Sequence, residues 1–291
     1  MNKKIGIVHA GGGAKGSFGV GVLENLLKKI KRDEDQLVAI AGTSIGAMNM
    51  AFVASDQFEV LKKSWLSWNL KNCPLIQYDF FNPFIDLIIK GYMYKTKPLL
   101  DFFKKNLNAY ALITSKINYM NNMVRLGDGE MFYGGNHDKN KNVDLIIKEI
   151  MASMALIPGT PSVEIDGVQY VDGGFRDTVM VKGFIQNNEK IDHIYIINLN
   201  PEKRKWDNQL LQKNFLGLQK KLIFLLNDIL WYDGLWADIE IGRLKYWNTE
   251  NYTIISPTIK YSSEIIEGMD FDDKKIKKYY EHGLEISEKL N

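Results

Sequence analysis

The chain has 291 residues, 45% hydrophobic and 25% charged, and its 37 basic and 35 acidic side chains leave a formal charge of +2. This is the composition of an ordinary globular protein, and the near-neutral balance argues against a nucleic-acid partner. The single cysteine, Cys73, excludes an internal disulfide and fits a reducing compartment, and no run of about 18 apolar residues is present to span a membrane as a helix.

Residues 5–10 are a continuous apolar run, which predicts a strand buried on both faces. The two lysines before it have the look of a signal peptide, but the apolar part is too short and runs into the glycine-rich loop 11–16 rather than a cleavage site. The expected location is therefore cytoplasmic, peripheral at membranes. Residues 17–30 read as a helix with Val20, Leu23, Leu27 and Ile30 on one face. Residues 37–41 read as a second strand, and a small-residue helix runs through Ala54. Two strands joined by a crossover helix lie parallel in one sheet. Residues 57–108 are helical and aromatic-rich, broken by Pro74, Pro83 and Pro98. Strand signals follow at 111–114 and 117–126, then a helix at 143–155. Asp166-Gly167 between two short apolar runs is a strong hairpin signal. A strand is expected at 191–199, a long helical region at 206–248, a last strand at 252–255 and a closing helix at 272–289. In the long region Leu211, Phe215, Leu218, Leu222, Leu225 and Ile229 form one apolar stripe. With no linker-like stretch, a single domain over 1–291 is expected, with segments 57–108 and 206–248 walling its site.

Three short motifs carry chemistry. Gly42-Thr43-Ser44-Ile45-Gly46 fits G-x-S-x-G. A nucleophilic serine must project its Oγ from a sharp strand-to-helix turn, where bulky residues two positions either side would clash. The following helix aims its N-terminal N–H groups and dipole at the site. Gly11-Gly12-Gly13-Ala14-Lys15-Gly16 also joins a strand to a helix and admits three readings. These are a dinucleotide pyrophosphate seat, an oxyanion hole facing Ser44, and a plain tight turn. The dinucleotide reading needs a carboxylate at the end of the second strand, where this chain has Ala41-Gly42-Thr43-Ser44. Val171-Asp172-Gly173-Gly174 puts a carboxylate at the tip of a hairpin strand, before two glycines that let another backbone approach. His9, His137, His193 and His282 read as structural or exposed. A Ser, Asp, His order admits His193 or His282, but α/β-hydrolases place the nucleophile after more than two strands. No His or Cys cluster has metal-ligand spacing.

Taken together, residues 11–16, 42–46 and 172–174 resemble the signature of patatin-like phospholipases. Ala152-Ser153-Met154-Ala155-Leu156-Ile157-Pro158, Val163-Glu164-Ile165-Asp166-Gly167 and Met269-Asp270-Phe271 add to the resemblance, which covers nearly the whole chain. It implies an α/β three-layer sandwich with a mainly parallel central sheet and the serine elbow after the second strand. It also implies a lipid acyl hydrolase without metal or organic cofactor, acting through a Ser–Asp dyad. Ser44 would be the nucleophile and Asp172 its base, with the N–H groups of Gly11, Gly12 and Gly13 lining the oxyanion hole. An acyl-enzyme on Ser44 would then be hydrolysed by water. Lys15, Gly16, Gly42, Gly46, Gly173 and Gly174 take the motifs' structural places. The chain departs from the family after Asp-Gly-Gly, with Phe175-Arg176-Asp177-Thr178-Val179 where an Asn and a Pro are frequent. The expected partners are a lipid substrate and a transient membrane or micelle surface. Trp231, Tyr232, Trp236 and Trp247 are interfacial candidates, with Lys220, Lys221, Arg243 and Lys245 for head groups. Competing classes are a non-catalytic lipid-binding relative, disfavoured by the presence of both Ser44 and Asp172, and a dinucleotide-dependent oxidoreductase.

Overall fold

The apolar runs of the sequence assemble into one eight-stranded sheet flanked by helices. The computed structural model describes residues 2–79, 83–138, 141–188, 191–201, 237, 251–258 and 270–290. The strands are β1 (Lys4–His9), β2 (Gln36–Gly42), β3 (Asn118–Arg125), β4 (Met131–Gly135), β5 (Val163–Ile165), β6 (Val168–Asp172), β7 (His193–Ile197) and β8 (Tyr252–Ile255). They run in the order β5-β6-β3-β2-β1-β7-β8, and β4 pairs with β3. The pairs β3–β2, β2–β1, β1–β7 and β7–β8 are parallel, whereas β3–β4, β3–β6 and β5–β6 are antiparallel. Central parallel strands are covered on both faces, which is why Ile5, Ile7, Val8, Ile40, Ala41, Ile194, Ile196 and Ile197 are all buried.

The helices are α1 (Gly16–Arg32), α2 (Ile45–Ala54), α3 (Phe58–Ser67), α4 (Pro83–Lys90), α5 (Lys97–Asn106), α6 (Ala109–Ile113), α7 (Val143–Ser153), α8 (Val181–Gln186) and α9 (Asp273–Glu288). Every residue of α2 is buried, so the helix that follows the serine elbow is a core element. On α1, Val20, Leu23, Leu26 and Ile30 form the buried stripe. Helix α9 crosses α1 where both carry glycine. A Cβ on Gly21 would lie 2.1 Å from the Tyr280 carbonyl oxygen, and one on Gly283 would lie 2.1 Å from that of Phe18. Backbones this close also allow polar ties: Ser17 Oγ donates to the Ile276 carbonyl at 2.7 Å, and Asn25 Nδ2 donates to the Leu284 carbonyl at 3.0 Å.

Two local expectations are corrected. Residues 111–114, expected as strand, lie mostly in α6. Periodicity cannot separate strand from helix in so short an apolar run, and the N-cap decides: Asn108 Oδ1 accepts from the Ala111 N–H at 3.0 Å. Strand β4 was not expected, since Phe132-Tyr133-Gly134-Gly135 offers little alternation and forms by pairing with β3.

Helix α4 is inside out. Its carboxylate, Asp86, is buried, accepts from the Asp79 N–H at 2.8 Å and lies 3.3 Å from Lys90 Nζ. Its isoleucines Ile85, Ile88 and Ile89 are 42%, 84% and 62% exposed. The apolar stripe and tryptophans expected at 206–248 fall outside the described residues. Among the described residues no helix is long and apolar enough to cross a membrane.

Candidate active site

The site lies where β1, β2 and β6 end. Strand β2 stops at Gly42, and the chain reverses through Thr43 and Ser44 into α2. The turn is tight enough to exclude side chains at both glycines. A Cβ on Gly42 would sit 2.2 Å from the Gly46 carbonyl carbon, and one on Gly46 would sit 2.3 Å from the His9 carbonyl oxygen. Ser44 itself adopts φ 54° and ψ −122°, a region that costs a non-glycine residue on the order of 1–3 kcal/mol and persists only where its surroundings over-determine it. Three hydrogen bonds brace it. The Thr43 N–H donates to the His9 carbonyl at 3.2 Å, the Gly46 N–H donates to the Thr43 carbonyl at 2.8 Å, and the Ser44 N–H donates to Ser153 Oγ at 3.0 Å. Ser44 keeps partial exposure while Thr43 and all of α2 are buried.

Asp172 ends β6 and is 1% exposed. Strand β3 lies between β2 and β6 in the sheet, and the loop after Asp172 folds back over the elbow. Thr43 Oγ1 donates to the Asp177 carbonyl at 3.3 Å, and Asn122 Nδ2, from β3, donates to the same oxygen at 2.8 Å. Oδ1 of Asp172 accepts from the Gly174 N–H at 2.7 Å. Oδ2 is buried with no hydrogen-bond partner among the described residues. Burial pushes the carboxyl up from its ordinary 3.8 to about 7, while the neighbouring Ser44 hydroxyl and the Gly174 N–H pull it back down. Ser44 is thus close enough to act on the carboxylate without completing a standard hydrogen bond, and such contacts are often long before substrate binds.

The glycine loop stands beside the elbow: a Cβ on Gly11 would lie 3.2 Å from Ser44 Cβ. The Gly11 N–H donates to the Thr178 carbonyl at 2.9 Å and anchors the loop to the strap that follows Asp172. The N–H groups of Gly12 and Gly13 meet no protein acceptor among the described residues, and both glycines are partly exposed. Lys15 Nζ donates to Asn200 Oδ1 at 2.8 Å, tying the loop to the end of β7. Gly16 packs on the elbow, where a Cβ would meet Ile45 Cγ1 at 2.7 Å. Gly173 sits against Asn122, whose Oδ1 would be 2.2 Å from a Cβ there. The structure therefore gathers the three motifs at one place.

Among the described residues no histidine side chain hydrogen-bonds Ser44 or Asp172, although His9 lies beside the elbow. His9 is fully buried, its Nδ1 donating to the Ala10 carbonyl at 2.8 Å and its Nε2 accepting from Asn49 Nδ2 at 3.1 Å. Burial drops its pKa to about 4, which keeps the ring neutral. His193 bonds Thr253 Oγ1 at 2.9 Å, His282 Nε2 accepts from the Thr258 N–H at 3.2 Å, and His137 is exposed. Cys73 is buried and burial holds its thiol up at about 12. Among the described residues no group of three or more His, Cys, Asp or Glu side chains gathers to hold a metal.

Three supporting residues were assigned no individual role from the sequence. Asn49 ties the site's elements together. Its Nδ2 donates to His9 and to the Gly16 carbonyl at 3.1 Å each, and its Oδ1 accepts from Trp65 Nε1 at 3.0 Å. Asp177 caps the strap by accepting from the Val179 N–H at 3.1 Å. Ser153 carries the clearest signal, a polar residue on the buried face of α7 beside Ile146 and Ile150.

Sheet, elbow and glycine loop define a mixed α/β protein built around a serine turn after its second strand. A family model described as Patatin-like phospholipase matches residues 7–185, and the chain belongs to the patatin-like phospholipase family. The crystal structure of VipD from Legionella pneumophila aligns with a TM-score of 0.47 at 12% identity, covering 99% of this chain and 67% of that one. No curated protein matches. Membership brings the broad activity of that family, lipid acyl hydrolysis.

Proposed function

We propose that this protein hydrolyses a carboxylic ester of an acyl lipid through an acyl-enzyme on Ser44, with Asp172 as its only side-chain base. The observation that carries the reading is the pairing of a strained, partly exposed serine with a fully buried carboxylate whose pKa stands near neutrality. A carboxylate so placed is poised to take and return a proton near pH 7. In the first half-reaction the Ser44 hydroxyl proton passes to Asp172 as Oγ attacks the ester carbonyl. The oxyanion that forms is held by the Gly12 and Gly13 N–H groups of the loop before α1, with Gly11 fixing the loop. Collapse expels the alcohol, which takes the proton from Asp172. In the second half-reaction water gives a proton to Asp172 as its oxygen attacks the acyl carbon, and Asp172 passes that proton to the departing Ser44 Oγ, releasing fatty acid and restoring both groups.

The outward isoleucines of α4 support a substrate presented at a lipid surface, since a partly exposed apolar helix face finds in lipid the burial that water denies it. The experiment is a fluorophosphonate probe followed by mixed phospholipids and neutral lipids, with released fatty acid read by mass spectrometry. Wild type is expected to label at Ser44 and release fatty acid, and both are lost in Ser44→Ala. Labelling that persists in Ser44→Ala would place the nucleophile elsewhere.

A further inference from the structure

We infer that Ser153 is a positioning residue that holds the reactive serine and its base in register through the last turn of α7. The inference rests on the Ser44–Asp172 reading above. Ser44 is the N-cap of α2, so its N–H has no partner within that helix, and in this half-buried turn an acceptor must come from elsewhere. The acceptor is the hydroxyl of Ser153, 3.0 Å away and wholly buried. Two residues on, the Ala155 carbonyl accepts from the Asp172 N–H at 2.9 Å. Ser44 follows β2 and Asp172 ends β6, and these strands are not neighbours, because β3 lies between them. The three-residue span 153–155 is thus a cross-brace that offers one acceptor to each member of the pair.

Its two halves differ in chemistry. Asp172 is held by a main-chain carbonyl, which any residue supplies. Ser44 is held by a side chain, so only a hydroxyl at position 153 serves. Removing it leaves a half-buried donor without its protein acceptor in the middle of a strained turn, and the relaxation open to that turn is a rotation of the Ser44 peptide. That rotation moves Oγ relative to the Asp172 carboxylate, whose Oδ2 has no hydrogen-bond partner among the described residues. Substrate reaches the glycine loop as before, so binding is spared while attack is slowed.

The test uses the full chain with a soluble short-chain ester and a fluorophosphonate probe, beside thermal unfolding of each variant. Ser153→Ala is expected to lower kcat and the labelling rate by about 10–100-fold, the scale of a small misplacement of reacting groups, with KM changed by less than about threefold. Ser153→Thr, which keeps the hydroxyl, is expected to recover most of the lost rate. Ser153→Val, of the same shape without it, is expected to stay slow. Equal labelling of wild type and Ser153→Ala at Ser44 overturns the positioning role while leaving the nucleophile in place. Wild type that fails to label at Ser44 overturns the dyad reading instead. If Ala, Thr and Val lose activity only in step with cooperative unfolding, Ser153 is a folding residue and the inference fails.

Discussion

Replacing Asp172 by asparagine separates two consequences of burying a carboxylate. The group ionises at 3.8 in an unperturbed chain and at about 7 in the fold. Between those values the folded state binds more protons than the unfolded one, so stability falls as pH rises from about 4 to 7. Above pH 7 the loss is complete. Three decades of proton affinity at 1.36 kcal/mol each make it about 4 kcal/mol. Asparagine keeps an oxygen for the Gly174 N–H and cannot ionise, so Asp172→Asn escapes the loss. For a chain of this length the gain raises Tm by about 8 °C at most. The assay is differential scanning calorimetry of both proteins at pH 5 and pH 8.5, beside hydrolysis of a soluble ester. The variant is expected to be more thermostable than wild type at pH 8.5, much less so at pH 5, and inactive at both. A Tm difference that does not change with pH would refute the buried, near-neutral carboxylate. Activity retained by the variant would refute its role as base.

The same carboxyl predicts that kcat/KM of wild type rises with pH through about 7 and then levels, since only the carboxylate accepts the serine proton; a flat profile from pH 5 to 9 contradicts this. Single alanine replacements of His137, His193 and His282 are expected to keep kcat/KM within about threefold, whereas a histidine whose loss costs on the order of 10³-fold in a folded protein would point to a triad. His9→Ala is expected to act through stability, lowering unfolding free energy by about 2–4 kcal/mol from the lost ring and the stranded Asn49 amide, read by denaturant titration. Ile88→Ser with Ile89→Ser is expected to weaken co-sedimentation with phospholipid vesicles more than it slows a soluble ester; equal losses in both assays would mark α4 as part of the site's wall.

The first half of the fold was legible because its signals are local. The runs that became β1 and β2, the helix between them and the Asp166-Gly167 hairpin each carry their pattern within about ten residues. At residues 111–114 a side-chain cap outweighed a strand-like composition, and β4 exists only because β3 offers it a ladder. The site divides the same way. Ser44 and the glycine loop announce themselves by spacing. The pairing of Asp172 with Ser44 came from resemblance, because no local pattern tells which strand end will meet the elbow. Ser153 and Asn49 went unassigned for a related reason: each acts on a main-chain group more than 30 residues away. The Gly11 N–H was expected in the oxyanion hole and is bonded to Thr178, a partner supplied by the segment where the chain departs from its family.

The crossing of α1 and α9 has a bearing on how the protein is made. Helix α1 leaves the ribosome before α9, with an apolar stripe for the core and a glycine-centred face that α9 covers. Its partner is about 250 residues further on, and at a synthesis rate of 5–20 residues per second that is a delay of roughly 10–50 s. Until then Ser17 and Asn25 lack the carbonyls of Ile276 and Leu284. Docking of α9 on α1 therefore follows the pairing of β1 with β2 and β7, whose residues all precede α9 in the chain.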